Sequence, residues 1–362
     1  MTKRKAEAPL RVGVVGADPR GFGARAHIPA VKRSSLLELS AICTRHDETA
    51  EEAARTHGAP HWYSSIDEMI ADGQIDLVTI AVRPANHHTL AHAAIDAHLP
   101  VYCEWPLALD SRQATEMADA ARVQGVPTAV GLQGRFSPTF RRLRSSIESG
   151  AIGQPLSFST SLVQAAFRVD SDRSWLTDAS EASGALFVAT AHLIDVMELI
   201  LGRVESVVAL TRTAIEDGAF GDDQSAFMWA TEDTVQVLLE LRNGATGTIN
   251  VTNTATRPSG FELQVLGDQG QIDARSPEYL QFSPVTAQIT DRSGGVVMDK
   301  PQDVPAEWSP ATNVERALTA FGRSLIEGDR FTPDFDHGLR LHRMIDAIRA
   351  SSADSKWVSV PG

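Results

Sequence analysis

From residue 10 to about residue 132 the apolar positions follow two alternating rhythms. Short β-branched runs at 11–16, 37–44, 77–82, 99–104 and 128–132 are bounded by glycine or proline and have the length of buried strands. Between them, apolar residues recur at helical spacing over 26–31, 48–57, 66–71, 88–97 and 111–124. Strand and helix in steady alternation predict an α/β fold with a doubly wound parallel sheet. After Gly134 the pattern changes. A helix over 138–149 leads into an alternating strand at 155–160, and a long apolar helix covers 185–201. Segments 204–212, 234–241, 245–252 and 261–266 then alternate polar and apolar positions with no helix between them. Asn243-Gly244 between two of these is a hairpin signal. These segments predict an α+β domain with a large, open, mainly antiparallel sheet, closed by helices at 313–327 and 336–350. Stretches near Pro258, Pro277 and 301–310 read as loops. The expected division is a disordered lead-in at 1–9, a nucleotide-binding domain at 10–133 and a substrate and oligomerisation domain at 134–362.

Composition narrows the function. A chain of 362 residues is long enough for two cores, and 43% hydrophobic with 22% charged residues is ordinary for a globular protein. The net charge of −13 excludes the broad basic face that nucleic acid or an anionic membrane requires. The run Arg141-Arg142-Leu143-Arg144 fits a solvated helix face. No apolar run has the length of a membrane span, and the polar start of the chain is not a secretion signal, so a cytoplasmic protein is expected. Cys43 and Cys103 lack metal-ligand spacing and read as small buried residues, with no metal expected.

The chemistry begins at Gly13-Val14-Val15-Gly16-Ala17-Asp18-Pro19-Arg20-Gly21-Phe22-Gly23, which follows the first strand and opens a helix. Glycines there permit a tight turn and bring backbone N–H groups close to a pyrophosphate. Gly16, Asp18, Arg20, Gly21 and Phe22 are the candidate cofactor contacts. The second strand ends in Cys43-Thr44-Arg45-His46 with no acidic residue at its tip. An aspartate there would bind the ribose hydroxyls of NAD; Thr44 and Arg45 suit a 2′-phosphate, so NADP is expected ahead of NAD. The other reading of Arg45 is a surface arginine beside the helix at 48–57.

The motifs from this loop through Arg83-Pro84-Ala85-Asn86-His87-His88 and Glu104-Trp105-Pro106 resemble the glucose-fructose oxidoreductase, inositol dehydrogenase and rhizopine catabolism (Gfo/Idh/MocA) family. The likeness continues through 130–138, 149–153, the helix at 184–202 and Thr231-Glu232-Asp233-Thr234. The resemblance implies nicotinamide contacts from Arg83, Pro84 and His88, with Glu104 holding a turn and a ribose or backbone contact. The family motif ends Glu-Lys-Pro and its helix carries Asp-x-x-x-His; here Trp105 and Val188 stand for the lysine and aspartate, while His192 remains. These departures, with the 20–30 segment, are similar to the Gal80-like branch, which includes an NADP-binding transcriptional regulator.

Hydride transfer from a secondary alcohol needs a proton acceptor beside the hydroxyl, and His192 has the side chain for it near neutral pH. Indole N–H only donates, so Trp105 either stacks on the substrate or nicotinamide, or fills the lysine's space. Asp195 is placed to orient His192 or to face solvent. Arg135 and Arg168 either pair with a substrate carboxylate or phosphate or are surface charges, and Gln164 is a candidate hydroxyl partner. Two functions stay open: an NADP-dependent oxidoreductase of a sugar, polyol or related cyclic alcohol, and a non-catalytic NADP-binding sensor. Apolar residues on both faces of 204–212 fit a protein partner or the sheet-mediated homo-oligomer common in the family.

Overall fold

Six short parallel strands form the first sheet: β1 (Leu10–Val15), β2 (Leu37–Cys43), β3 (His61–Tyr63), β4 (Leu77–Ile80), β5 (Val101–Glu104) and β6 (Thr128–Gly131). Their order is β3-β2-β1-β4-β5-β6, so the winding direction reverses between β1 and β4. Strands β4, β5 and β6 are buried at every position, which is why they read as continuous apolar runs. Helices α1 (Ile28–Arg33), α2 (Asp47–His57), α3 (Ile66–Ala71), α4 (His87–Asp96) and α5 (Ser111–Gln124) connect them. Ser65 and Asp110 cap α3 and α5 through their side chains, and left-handed Gly58 and Gly125 end α2 and α5. Strand β3 has three half-exposed or exposed residues, too few to show a rhythm in the sequence.

The computed structural model describes residues 8–165, 169–299 and 308–361. In the second unit, helix α6 (Pro138–Glu148) precedes strand β7 (Pro155–Val163). A π-helical turn, Ala185–Thr190, then runs into α7 (Ala191–Leu201). Next come β8 (Val204–Arg212), the small hairpin β9 (Asp217–Ala219) and β10 (Ala226–Met228), then β11 (Thr234–Leu241), β12 (Thr246–Thr252) and β13 (Gly260–Gly267). Strands β14 (Gly270–Ser276), β15 (Thr286–Asp291), β16 (Val296–Asp299) and β17 (Val358–Ser359) complete one sheet in the order β16-β15-β14-β13-β7-β12-β11-β8-β17. All its neighbouring pairs are antiparallel except β7 and β12. Val235, Val237, Leu239 and Leu241 point into the core, while Leu238 and Leu210 stay exposed on the open face. Strands β14 and β15 escape the sequence pattern because their core-facing positions are few and partly small, such as Ile272, Ala274 and Ala287.

Two expectations are corrected. The stretch Ala179–Leu201 is long and apolar enough to cross a membrane by length and composition, but 83% of its apolar window is buried inside the fold, so it is a core helix. The second domain is also not one continuous segment from 134 to 362. Unit 1 comprises Met1–Gln133 with Ser309–Leu339, and unit 2 Gly134–Trp308 with Arg340–Gly362. Helix α8 (Ala311–Glu327) puts the buried Phe321 ring 6.4 Å from Tyr102 and 5.1 Å from Phe331. Val130 donates its N–H to Pro333 O, and Phe335 N–H donates to Thr128 Oγ1 at the start of α9 (Phe335–Asp354). A segment late in the chain thus completes the first core, which local periodicity does not disclose.

Candidate cofactor and substrate sites

The loop after β1 is built for close backbone packing. Gly16 has φ +100°, and a Cβ there would lie 2.6 Å from Ala81 O; a Cβ on Gly23 would lie 1.8 Å from Gly16 O. The loop closes on itself through Asp18, whose Oδ1 accepts from Arg20 N–H and whose carbonyl accepts from Gly21 N–H, both at 2.8 Å. Asp18 therefore shapes the turn, and Phe22 packs its ring edge-on to His27 at 5.7 Å. These glycines fit a dinucleotide, whose pyrophosphate needs backbone N–H groups without intervening side chains. At the tip of β2, the Thr44 hydroxyl donates to His46 O at 3.1 Å and meets Thr49 Oγ1 at 2.6 Å, bracing the turn into α2. Arg45 is exposed beside it, with Asp47 and Glu48 in the first turn of α2.

Beyond β4, Arg83 is exposed and Pro84 buried at the start of a one-turn helix, Pro84–Asn86. The histidine that the structure buries here is His87, not His88. The His87 ring nitrogens lie 2.9 Å from Pro106 O and 3.1 Å from Val82 O, tying the end of β4 to the turn after β5. Burial pushes His87 down to about 4, so the neutral ring donates to only one of these carbonyls. His88 contacts Glu116 at 2.8 Å, and its ring lies tilted against that of His92 with centroids 4.4 Å apart.

Glu104 holds its turn through two internal partners. Its Oε1 lies 2.8 Å from His27 Nε2 and its Oε2 accepts from Gln133 Nε2 at 2.8 Å, while His27 Nδ1 meets the Thr79 hydroxyl. Both carboxylate oxygens are engaged within the protein, so Glu104 braces the turn after β5 from inside. Gly131 leaves room for it: a Cβ there would sit 2.5 Å from Glu104 Oε1. His27, His87 and Gln133 escaped the sequence reading, although His27 and Gln133 stand inside family-like segments. Trp105, joined to Pro106 by a cis peptide bond, is only 7% exposed, which favours the space-filling role over a stacking platform.

In the second unit, His192 sits on α7 with 5% exposure, and burial pushes it down to about 4 against the opposing charge of Asp195. That corrects the expectation of a histidine poised near neutrality: it is a neutral imidazole and a weak base. Arg135 Nη1 donates to Asp195 Oδ1 at 2.8 Å, with the two side chains 13% and 1% exposed. Asp195 thus faces neither solvent nor His192 alone, and Arg135 forms an internal ion pair instead of awaiting a substrate anion. Gln164 follows β7, its backbone fixed to Thr252 and Ala255 and its buried Nε2 without a partner. Arg168 lies outside the described residues. One turn before His192, Val188 faces a small cavity instead of supplying a carboxylate.

A reversing parallel sheet with a glycine-lined turn at its first strand defines a dinucleotide-binding oxidoreductase domain. Residues 10–132 match the oxidoreductase family with NAD-binding Rossmann fold, and residues 140–273 the GFO/IDH/MocA C-terminal domain. The chain belongs to the Gfo/Idh/MocA family of oxidoreductases. It is 28% identical to levoglucosan dehydrogenase of Pseudarthrobacter phenanthrenivorans, over 97% of this chain and 98% of the relative. A solved levoglucosan dehydrogenase in complex with NADH and levoglucosan superposes with TM-score 0.86 at 26% identity, covering 98% of this chain and 100% of that one. A super-repressor mutant of Gal80p from Saccharomyces cerevisiae shares the fold at TM-score 0.89 and 18% identity, over 98% of each chain.

Proposed function

We propose that the protein is an NADP-dependent oxidoreductase that interconverts a secondary alcohol and its carbonyl on a sugar, polyol or related ring. The observation that carries this is His192, a neutral imidazole on the central helix of the second unit, in a chain alike end to end to a levoglucosan dehydrogenase. A bound nicotinamide would supply the hydride acceptor. Gly16, Gly23 and the exposed Arg45 are the residues to hold it, Arg45 on the 2′-phosphate. In the oxidising direction His192 takes the proton leaving the substrate hydroxyl, and Gln164 Nε2 donates to a neighbouring oxygen. The pair Arg135–Asp195 braces α7. The open sheet face, with Leu210, Leu238 and Leu266 exposed, is the surface for a homo-oligomer.

A second reading, a cofactor-binding sensor without turnover, is favoured by Trp105 and Val188 in the family's polar positions and by the weak basicity of His192. Reduction of NADP⁺ by the purified protein across sugars, polyols and sugar acids separates the two. Turnover on any of them is expected and eliminates the sensor. Tight NADPH binding with no turnover overturns the oxidoreductase reading.

A further inference from the structure

In the turn before α6, Gly134 packs directly on α7: a Cβ there would lie 3.0 Å from Val196 Cγ2 and 2.7 Å from Leu280 Cδ1. From this turn Arg135 reaches Asp195, its Nη1 donating to Oδ1, while the Arg135 carbonyl accepts from Arg141 Nε at 3.3 Å. Asp195 stands three residues after His192, so the two share one face of α7. The other ionisable groups around that helix have partners of their own. Glu198 accepts from Arg340 Nη1 at 2.8 Å and from Val204 N–H at 3.0 Å, and Glu232 accepts from Arg349. His342 lies against the Phe187 ring with centroids 6.0 Å apart. Helix α6 buries Thr139, Phe140 and Leu143 and leaves Arg141, Arg142 and Arg144 exposed. Among the described residues, Asp195 is the charge that acts on His192.

A carboxylate buried without a cation takes up a proton or draws in a positive partner, because an isolated charge in a dry interior is costly. The proton acceptor on its own helix face is the His192 imidazole, more basic than a carboxylate by roughly 2.5 pH units in water. A guanidinium stays charged at every working pH, so Arg135 supplies Asp195 with a positive partner that needs no proton. We propose that Arg135 is a positioning residue: it holds Asp195 and so keeps His192 unprotonated, free to accept the proton that leaves the substrate. Its place in catalysis rests on the oxidoreductase reading; its control of the charge on His192 does not.

The test follows His192 in the full chain by NMR of isotope-labelled histidine rings, its signal identified by its loss in His192→Gln. The ring titrates at about 4 in the unaltered protein. Arg135→Met should raise that midpoint by roughly 2 pH units, the size of shift a close opposite charge produces. The ratio of oxidative kcat/KM at about pH 5 to that at about pH 8.5 should fall roughly tenfold with it. Adding Asp195→Asn to Arg135→Met removes the charge that attracts the proton and should bring both readings back. Arg135→Lys keeps the cation and should keep them in place. Asp195→Asn alone should carry the midpoint lower still, which tests the proposal even if Arg135→Met does not fold; an unchanged midpoint there overturns it. Thermal melting confirms that each variant is folded. A pair that only braces the helix predicts an unmoved midpoint in Arg135→Met and a double variant worse than either single one, and that result also overturns the proposal. A raised midpoint in a protein that turns over no substrate supports the control of charge and sinks the enzyme reading. Turnover whose acid limb stays put in Arg135→Met overturns the control and leaves the oxidoreductase standing.

Discussion

The polar interiors of the two units differ in degree. In the first, the Glu104 carboxylate is held on both oxygens, by His27 and Gln133, and the Asp18 turn closes on its own amides. In the second, Gln164 Nε2, Thr190 Oγ1, Glu232 Oε2 and Asn253 Oδ1 are buried with no partner. The first unit has unmet atoms of its own, His92 Nε2, Tyr102 Oη and Gln133 Oε1, but the Glu104 carboxylate is paired on both oxygens, whereas Glu232 in the second is paired on one. Unmet donors and acceptors are tolerated where an outside molecule completes them. The contrast teaches that the first unit closes its carboxylate brace within itself, while the second leaves one oxygen of the Glu232 carboxylate unmet.

The comparison breaks most sharply at His192. Replacing it with alanine should lower kcat by roughly 10²- to 10⁴-fold while NADPH affinity, measured by fluorescence, stays unchanged. Because burial pushes the ring to about 4, the neutral base persists well below neutrality. The oxidative kcat/KM should therefore hold down to about pH 5 and fall as pH drops through 4; a full-activity variant would remove His192 from the mechanism. Next in size, Glu104→Ala should destabilise the protein by about 3 kcal/mol in denaturant titration, since it strands buried His27 and Gln133. A change within 0.5 kcal/mol would show that the brace is not structural. The smallest effect is cofactor choice. Arg45→Ala should weaken NADPH by roughly tenfold and leave NADH alone, and equal losses for both would refute the 2′-phosphate contact.

Much of this was legible along the chain. Strands β8 and β11 and helix α5 follow the rhythm of 204–212, 234–241 and 111–124 to the residue; β11 and α5 each bury one face without interruption, and β8 keeps its β-branched run although only Val204 and Val207 are fully buried. The turn at Asn243-Gly244 forms as its chemistry dictates, with Gly244 at φ +85°. What stayed hidden depends on partners remote in sequence. His27 finds Glu104 across 77 positions and Arg135 finds Asp195 across 60, and neither spacing has a local signature. The choice between His87 and His88 turns on which way a helix start faces. The cavity wall combines Leu176, Val188, Trp229 and Asn253, residues unremarkable until the fold gathers them.

The π-helical turn Ala185–Thr190 has a consequence for how such a chain changes over time. A π turn amounts to one extra residue in an α-helix. Deleting a single residue from it restores the α-helical count and rotates everything upstream by about 100°, while α7 keeps its anchorage. Val188 would leave the cavity wall and a neighbour would take its place, with His192 unmoved. Insertion and deletion at this one turn therefore change which side chain lines the cavity in a single genetic step, without rebuilding the core.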